Sequence, residues 1–246
     1  MRDALDFKGK TILVVGGSSG IGNGIAQAFR ARGAAVHVWG TRATAADYAG
    51  AAGSDLGGLH YAQVDVAEPA AIERWVPPFE HLDVLVLSQG LVLYKRGEYE
   101  PAGFRNVVEV NLNSVMNCSL KFQAHLKAAR GALIVISSTA AFHATRGNPA
   151  YNASKAGLVG LVRTLGEAWA AEGIRVNGIA PGLVDTKMTK VTTEHPKRLE
   201  AALARIPLGR LGTPAEMAGV ALFLASPLAA YVVGQTLPVD GGLILA

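Results

Sequence analysis

A single cysteine, Cys118, stands in a chain of 246 residues, which excludes an internal disulfide and any site built from several thiolates. That scarcity fits a reducing compartment, so a cytoplasmic location is expected. The six histidines, at 37, 60, 81, 125, 143 and 195, show no ligand spacing, and no metal centre is expected. Apolar runs are short and interrupted by Gly, Pro or charge, well below the roughly 18 residues that a membrane span needs. Residues 1–10 alternate charged and apolar types and lack the continuous apolar stretch of a secretory signal. No run of five like charges occurs, so the net charge of +4 reads as a solvated surface and no nucleic-acid partner is expected. Repeats and low-complexity tracts are missing, and no seam divides the chain; one domain over 1–246 is expected.

Half of the residues are hydrophobic, ample for a substantial core. Short β-branched runs recur at Thr11 to Val15, Ala35 to Trp39, Leu59 to Val64, Asp83 to Leu87, Ala132 to Ser137, Ile174 to Ile179 and Gln235 to Val239. Amphipathic stretches lie between them, notably Ile21 to Arg32, Pro101 to Ala129, Ala150 to Glu172 and Pro214 to Ala225. Continuous apolar strands such as Ile12-Leu13-Val14-Val15 imply burial on both faces. The expected fold class is therefore α/β: a single Rossmann-type, doubly wound domain with a parallel sheet of about seven strands and helices on both faces. In such a fold ligands bind beyond the carboxyl ends of the strands.

Directly after the first strand comes Gly16-Gly17-Ser18-Ser19-Gly20-Ile21-Gly22, spaced GxxxGxG, with a helix beginning inside it. Such a turn lets backbone amides approach a pyrophosphate, although a glycine-rich βα turn without a ligand would have the same pattern. Tyr151 and Lys155 stand four residues apart, on one face if the stretch is helical, and Ser138 closes the strand upstream. A cation beside a phenol favours phenolate and brings tyrosine toward proton transfer near neutral pH. Taken alone, the pair is more readily read as chance neighbours on a helix surface, since so short a motif recurs by accident.

Taken together, GxxxGxG, the strand-end serine and YxxxK resemble the short-chain dehydrogenase/reductase family, and its 3-oxoacyl-carrier-protein reductase-like branch, over essentially the whole chain. Further ordered matches are Leu82-Asp83-Val84-Leu85-Val86, Asn111 in Val110-Asn111-Leu112, Ile136-Ser137-Ser138, Gly173-Ile174-Arg175-Val176-Asn177, Pro181-Gly182 with Thr186, and the closing run Gly234 to Gly242. The resemblance implies that Tyr151 is the general acid/base, that Lys155 lowers its pKa and holds the nicotinamide ribose, and that Ser138 hydrogen-bonds the substrate oxygen. It further implies that Asn111, at a kink in a long helix, anchors a water that links Lys155 to solvent. Two departures stand out: Val15 where the family usually has Thr, and Ser88-Gln89-Gly90 where it often has Asn-Ala-Gly. The second puts the hydrogen bonding of the central sheet in doubt.

The implied cofactor contacts are Gly16, Ser18, Ser19, Gly20, Ile21 and Gly22 at the turn, Thr41 and Arg42 after the second strand, Asp65 and Val66 near adenine, and Gly90 at the adenosine ribose. Tyr151 and Lys155 add to these, with Pro181, Gly182, Val184 and Thr186 at the nicotinamide amide. With no carboxylate in Gly40-Thr41-Arg42, a 2'-phosphate would meet a guanidinium and no repulsion, so NADP is favoured over NAD. The expected function is hydride transfer between NADP(H) and a carbonyl or secondary alcohol. The alternatives are an NAD-dependent alcohol, sugar or steroid-type dehydrogenase and a catalytically lapsed regulator or scaffold. Residues 183–210 are expected to form a mobile substrate loop. Its Lys187, Lys190, His195, Lys197 and Arg198, with Phe142, His143, Arg146, Tyr94, Lys95 and Arg96, would suit an anionic small-molecule substrate if they ring the pocket. A homo-oligomer, dimer or tetramer, is also expected.

Overall fold

The structure is a computed structural model that describes residues 3–245; Met1, Arg2 and Ala246 lie outside the described part. Seven strands form one sheet in the order β3-β2-β1-β4-β5-β6-β7, every neighbouring pair parallel. They run Thr11–Val15 (β1), Ala35–Gly40 (β2), His60–Gln63 (β3), Val84–Leu87 (β4), Ala132–Ile136 (β5), Arg175–Pro181 (β6) and Thr236–Val239 (β7). This is the doubly wound sheet expected from the sequence, and strand order reverses at β1, whose neighbours are β2 and β4. A crevice therefore opens beyond the carboxyl ends of β1 and β4.

The period-2 alternation of the strands divides the core. From β1, Leu13 and Val15 join Trp39, Leu85, Leu87 and Leu133 on one face, which is covered by α4 (Ser114–Ala129) and α5 (Pro149–Ala170) through Phe122, Leu158 and Trp169. Ile12 and Val14 join Val38, Val86 and Ile134 on the other, against Ile25 and Phe29 of α1 (Gly20–Ala31) and Met217 and Leu222 of α8 (Pro214–Ala225). Each such side chain, taken fully from water, contributes about 1.5–3 kcal/mol. Val15, the residue that departs from the family's usual Thr, is part of this packing and fully buried. Cys118 is also buried, and loss of solvent pushes its thiol up to about 12, so it stays protonated.

Three features go beyond the sequence reading. The helical run at 101–129, expected to kink at Asn111, takes a definite form there: α3 (Pro101–Val108) passes into a π-helical turn at Glu109–Asn113 before α4 begins. A six-residue helix, α2 (Pro69–Arg74), follows β3. The expected substrate loop at 183–210 carries two short helices, α6 (Lys190–Thr193) and α7 (Pro196–Leu203).

Candidate active site

The glycines after β1 are required by space. Gly16 has φ +74°, and a Cβ there would lie 2.8 Å from the backbone nitrogen of Gln89. A Cβ on Gly22 would lie 2.3 Å from the carbonyl oxygen of Gly16, so only glycine lets α1 start this close beneath the turn. No side chain caps this end of α1, although the first amides of a helix have no helical acceptor. Donors and the positive end of the helix dipole thus face an open cleft of about 440 Å³. Of these amides Gly20's already donates to the Gly53 carbonyl at 2.8 Å; the rest of this backbone cradle, glycine-only for steric reasons, fits a pyrophosphate.

The same cleft is lined by Ser18, Ser19, Gly20, Ile21, Thr41, Asp65, Val66, Gly90, Ser138, Tyr151, Lys155, Pro181, Gly182, Val184 and Thr186. Of the expected catalytic and cofactor-contact residues, only Arg42 and Asn111 stand outside the lining. The Arg42 guanidinium lies 4.5 Å from the centroid of the Tyr48 ring, and the Tyr48 hydroxyl accepts from the amides of Thr41 (3.2 Å) and Arg42 (3.3 Å). The segment after β2 is therefore a small folded unit, its guanidinium also donating to the Asp47 carbonyl, and Gly40 and Thr41 are its residues in the cleft lining.

Tyr151 and Lys155 share one face of α5 in its first two turns, and Lys155 Nζ lies 5.6 Å from the phenol ring centroid. Lys155 is 3 % exposed, and its Nζ donates to the Ile136 carbonyl at 2.9 Å. Burial pushes its ammonium down to about 8. For Tyr151 the outcome differs from expectation. Burial raises the phenol above its ordinary value, the Ser138 hydrogen bond opposes this, and the nearby Tyr94 and Glu98 push it further up. Loss of solvent around the phenol is the largest of these influences, and sequence spacing does not contain it.

Ser138, extended at φ −166°, lies two residues beyond β5, and its hydroxyl accepts from the Ala140 amide at 3.1 Å. Ser137 serves the scaffold: its hydroxyl donates to the Lys155 carbonyl at 2.9 Å. Asn111 is fully buried on the π-helical turn. Its Oδ1 accepts from the Leu91 amide (2.7 Å), and its Nδ2 donates to the Leu91 carbonyl (2.9 Å) and to Ser154 Oγ (3.2 Å). Its amide so ties the loop after β4 to α5. Gly90 is beside this knot: a Cβ there would lie 3.8 Å from Lys155 Nζ and 3.9 Å from Asn111 Oδ1. Gln89 answers the doubt about the central sheet. Its Nε2 donates to Ser114 Oγ at 3.0 Å, so the bond runs to α4, and its buried Oε1 has no partner.

A second chamber of about 290 Å³ adjoins the first and shares Ser138, Tyr151, Gly182, Met188 and Thr189 with it. Of the basic residues expected to ring the pocket, only His143 lines this chamber and only Lys187 lines the first. Of the others, Lys190 pairs with Glu194 at 3.1 Å, the Arg96 guanidinium covers Tyr99, and Arg198 donates to the Val191 carbonyl. Tyr94 does line the second chamber, and its hydroxyl donates to the Met188 carbonyl at 2.7 Å, latching the loop after β4 to the segment after β6. Sequence reasoning passed over Arg205, the one Lys or Arg in this lining, and over Glu98, whose buried carboxylate accepts from the Tyr151 amide at 2.9 Å. Neither is part of a motif.

Comparison with known proteins gives consistent likenesses. The sequence model of a family described as Enoyl-(Acyl carrier protein) reductase matches residues 15–244. The chain is 36% identical over 253 residues to 3-oxoacyl-[acyl-carrier-protein] reductase of Escherichia coli (strain K12), covering 98% of this chain and 100% of that protein. It is 38% identical over 249 residues to 2-dehydro-3-deoxy-D-gluconate 5-dehydrogenase of Bacillus subtilis (strain 168), covering 98% and 97%. Among solved structures it superposes on the Pseudomonas aeruginosa RhlG/NADP active-site complex with a TM-score of 0.90 and 34% identity, over 99% of this chain and 100% of that one.

Proposed function

Because the chain belongs to the short-chain dehydrogenase/reductase family and is an NAD(P)-dependent oxidoreductase, we propose that Tyr151 is the general acid/base of a hydride exchange between NADP(H) and a carbonyl or secondary alcohol. The observation that carries this assignment is the position of Tyr151 and Ser138 on the wall shared by the two chambers. A nucleotide held in the first chamber would supply or accept the hydride. Tyr151 gives its proton to the carbonyl oxygen as the carbon is reduced, and takes it back from the alcohol in reverse. The Ser138 hydroxyl donates to the same oxygen and stabilises its developing charge. Lys155, buried and still protonated at neutral pH, turns its charge toward the tyrosine and the nicotinamide ribose. Asn111 Oδ1 retains a second lone pair with which to hold a water beside Lys155. The test is nicotinamide absorbance with a panel of carbonyl compounds. NADPH that binds but is oxidised by none of them overturns the assignment.

The turn amides and α1 would hold the pyrophosphate, and Arg42, with no carboxylate beside it in Gly40-Thr41-Arg42, the 2'-phosphate. Arg42→Ala is expected to raise the KM for NADPH about tenfold, the equivalent of one charge-assisted contact, and to leave that for NADH within about twofold. Equal losses with both nucleotides would count against this role.

The substrate would sit in the second chamber. Arg205 lines it, no Asp or Glu does, and no described carboxylate lies within ion-pair distance of Arg205. That unbalanced charge, in the same lining as Tyr151 and Ser138, favours a small carbonyl compound with a carboxylate. Arg205→Gln is expected to raise the KM for an oxo acid about tenfold and to spare its neutral ester. Turnover of the ester by the wild type as efficient as that of the acid would remove the anion from the reading. The segment 183–210 would open and close over this chamber, with the Tyr94 latch as one of its closed contacts. Exposed Leu120 on α4 and Leu245 at the carboxyl end are apolar surface suited to a homo-oligomer, dimer or tetramer. Among the described residues no helix is long and apolar enough to cross a membrane. A cytoplasmic location, with Cys118 as a reduced thiol, completes the proposal.

A further inference from the structure

Two side chains of the charged residue types are buried among the described residues, Lys155 at 3 % exposure and Glu98 at 1 %. Lys155 has a place in the reaction proposed above, and Glu98 has none. No described cation lies within ion-pair distance of its carboxylate. Its partners are N–H groups instead. Oε1 accepts from the Leu93 amide at 3.1 Å and from Asn148 Nδ2 at 3.2 Å, and Oε2 accepts from the Tyr151 amide at 2.9 Å.

Asn148 is the N-cap of α5, yet its side chain makes no capping bond, and Tyr151 is the third residue of the helix. An N-cap side chain ordinarily serves the N2 or N3 amide. Here Glu98, from another element fifty-three positions upstream, serves the amide of the tyrosine itself. The chain that delivers it adopts an unfavourable conformation. Lys95 and Arg96 are both left-handed, at φ 54° and 62°, before the short helical turn Gly97–Tyr99. On its other side the turn is pressed against α3, where a Cβ on Gly103 would lie 2.1 Å from the Gly97 carbonyl oxygen.

We propose that Glu98 is a positioning residue of the reaction, coupling the 93–98 turn to the Tyr151 phenol by attachment and by charge. It rests on the reading of Tyr151 as the proton carrier and adds what sets that carrier's place and working pH. The charged and titratable groups around the phenol are Tyr94 and Glu98 from the segment after β4, Lys155 from α5, and His143 and Arg205 from the adjoining chamber wall. A negative charge behind the phenol disfavours phenolate, in line with the upward push that Glu98 exerts on Tyr151. Reduction needs the phenol protonated and fades as pH rises through its pKa; oxidation needs phenolate and grows over the same range.

Glu98→Gln removes the charge and keeps the shape. It is expected to move both limbs to lower pH by on the order of one unit, so that with all substrates saturating the ratio of kcat for oxidation to kcat for reduction at a fixed pH in the titration range rises about tenfold. Glu98→Asp keeps the charge and shortens the reach, and is expected to lower kcat several-fold while its limbs stay where the wild type has them. The proposal is overturned if Glu98→Gln lowers kcat with unmoved limbs, if Glu98→Asp moves them as far as Glu98→Gln does, or if Glu98→Gln does not fold, since Glu98 is then structural only. Failure of the proton-carrier reading itself would look different: Tyr151→Phe would retain full turnover whatever happens at position 98.

Discussion

Tyr151→Phe is expected to lower turnover in both directions about a thousandfold, within the range that one positioned proton donor contributes, while NADPH binds within about twofold of the wild type. The substitution removes one oxygen and keeps the ring, so the walls of both chambers retain their shape. Ser138 remains to hydrogen-bond the substrate oxygen, which leaves a small residual rate. Residual turnover should also lose its dependence on pH through the phenol's range, because no titrating donor is left. Steady-state nicotinamide absorbance gives the rate, and titration calorimetry gives the binding. Wild-type turnover in the variant would contradict the mechanism, and lost NADPH binding would mean that the ring is chiefly a structural element.

Gly22→Ala should be the most damaging single methyl in the nucleotide cleft. Its Cβ would lie 2.3 Å from the Gly16 carbonyl oxygen and 2.9 Å from its carbonyl carbon, atoms of a turn already fixed against Gln89. No flexible side chain stands there to give way, so α1 or the turn must shift. Overpacking of this kind costs about 1–3 kcal/mol, more where only backbone can move. A shift also misaligns the amides that would meet the pyrophosphate, and about 2–3 kcal/mol of lost binding corresponds to a Kd roughly 30- to 150-fold weaker. Thermal unfolding and NADPH titration read the two losses separately. Gly219→Ala is the control, since a Cβ there meets nothing within 4 Å. If Gly22→Ala binds NADPH as the wild type does, the turn is not the phosphate cradle.

The sheet and the phosphate turn were legible because each is written locally: β-branched runs for the strands, and glycines where a backbone must approach another. The kink at Asn111 was legible only through the family resemblance, since by its own pattern Glu109-Val110-Asn111-Leu112-Asn113 reads as ordinary amphipathic sequence, and its π-helical form was not. What holds it open is remote, the clasp of Asn111 on Leu91. Glu98 was hidden for a like reason. In Gly97-Glu98-Tyr99 it resembles any surface acid, and its burial follows from the packing of α5 and α3 around it. The basic residues near the pocket failed in the opposite sense. Proximity in sequence suggested a ring, whereas side-chain partners draw Lys190 and Arg96 away and leave Arg205 in the wall.

The π-helical turn carries a consequence for how this site can change. One residue more than an α-helical turn holds is lodged at Glu109–Asn113, at the junction of two regular helices. A regular helix advances about 100° per residue, so deleting one residue there would smooth the helix and swing α3 relative to α4 by that angle. Either Asn111 would leave Leu91 and Ser154, or α3 would leave the turn that carries Glu98. The irregularity thus acts as a phase setter between two halves of one rod, keeping the support of Lys155 and the support of Tyr151 in step. Substitutions can be accepted one at a time along this rod, but a change of length cannot.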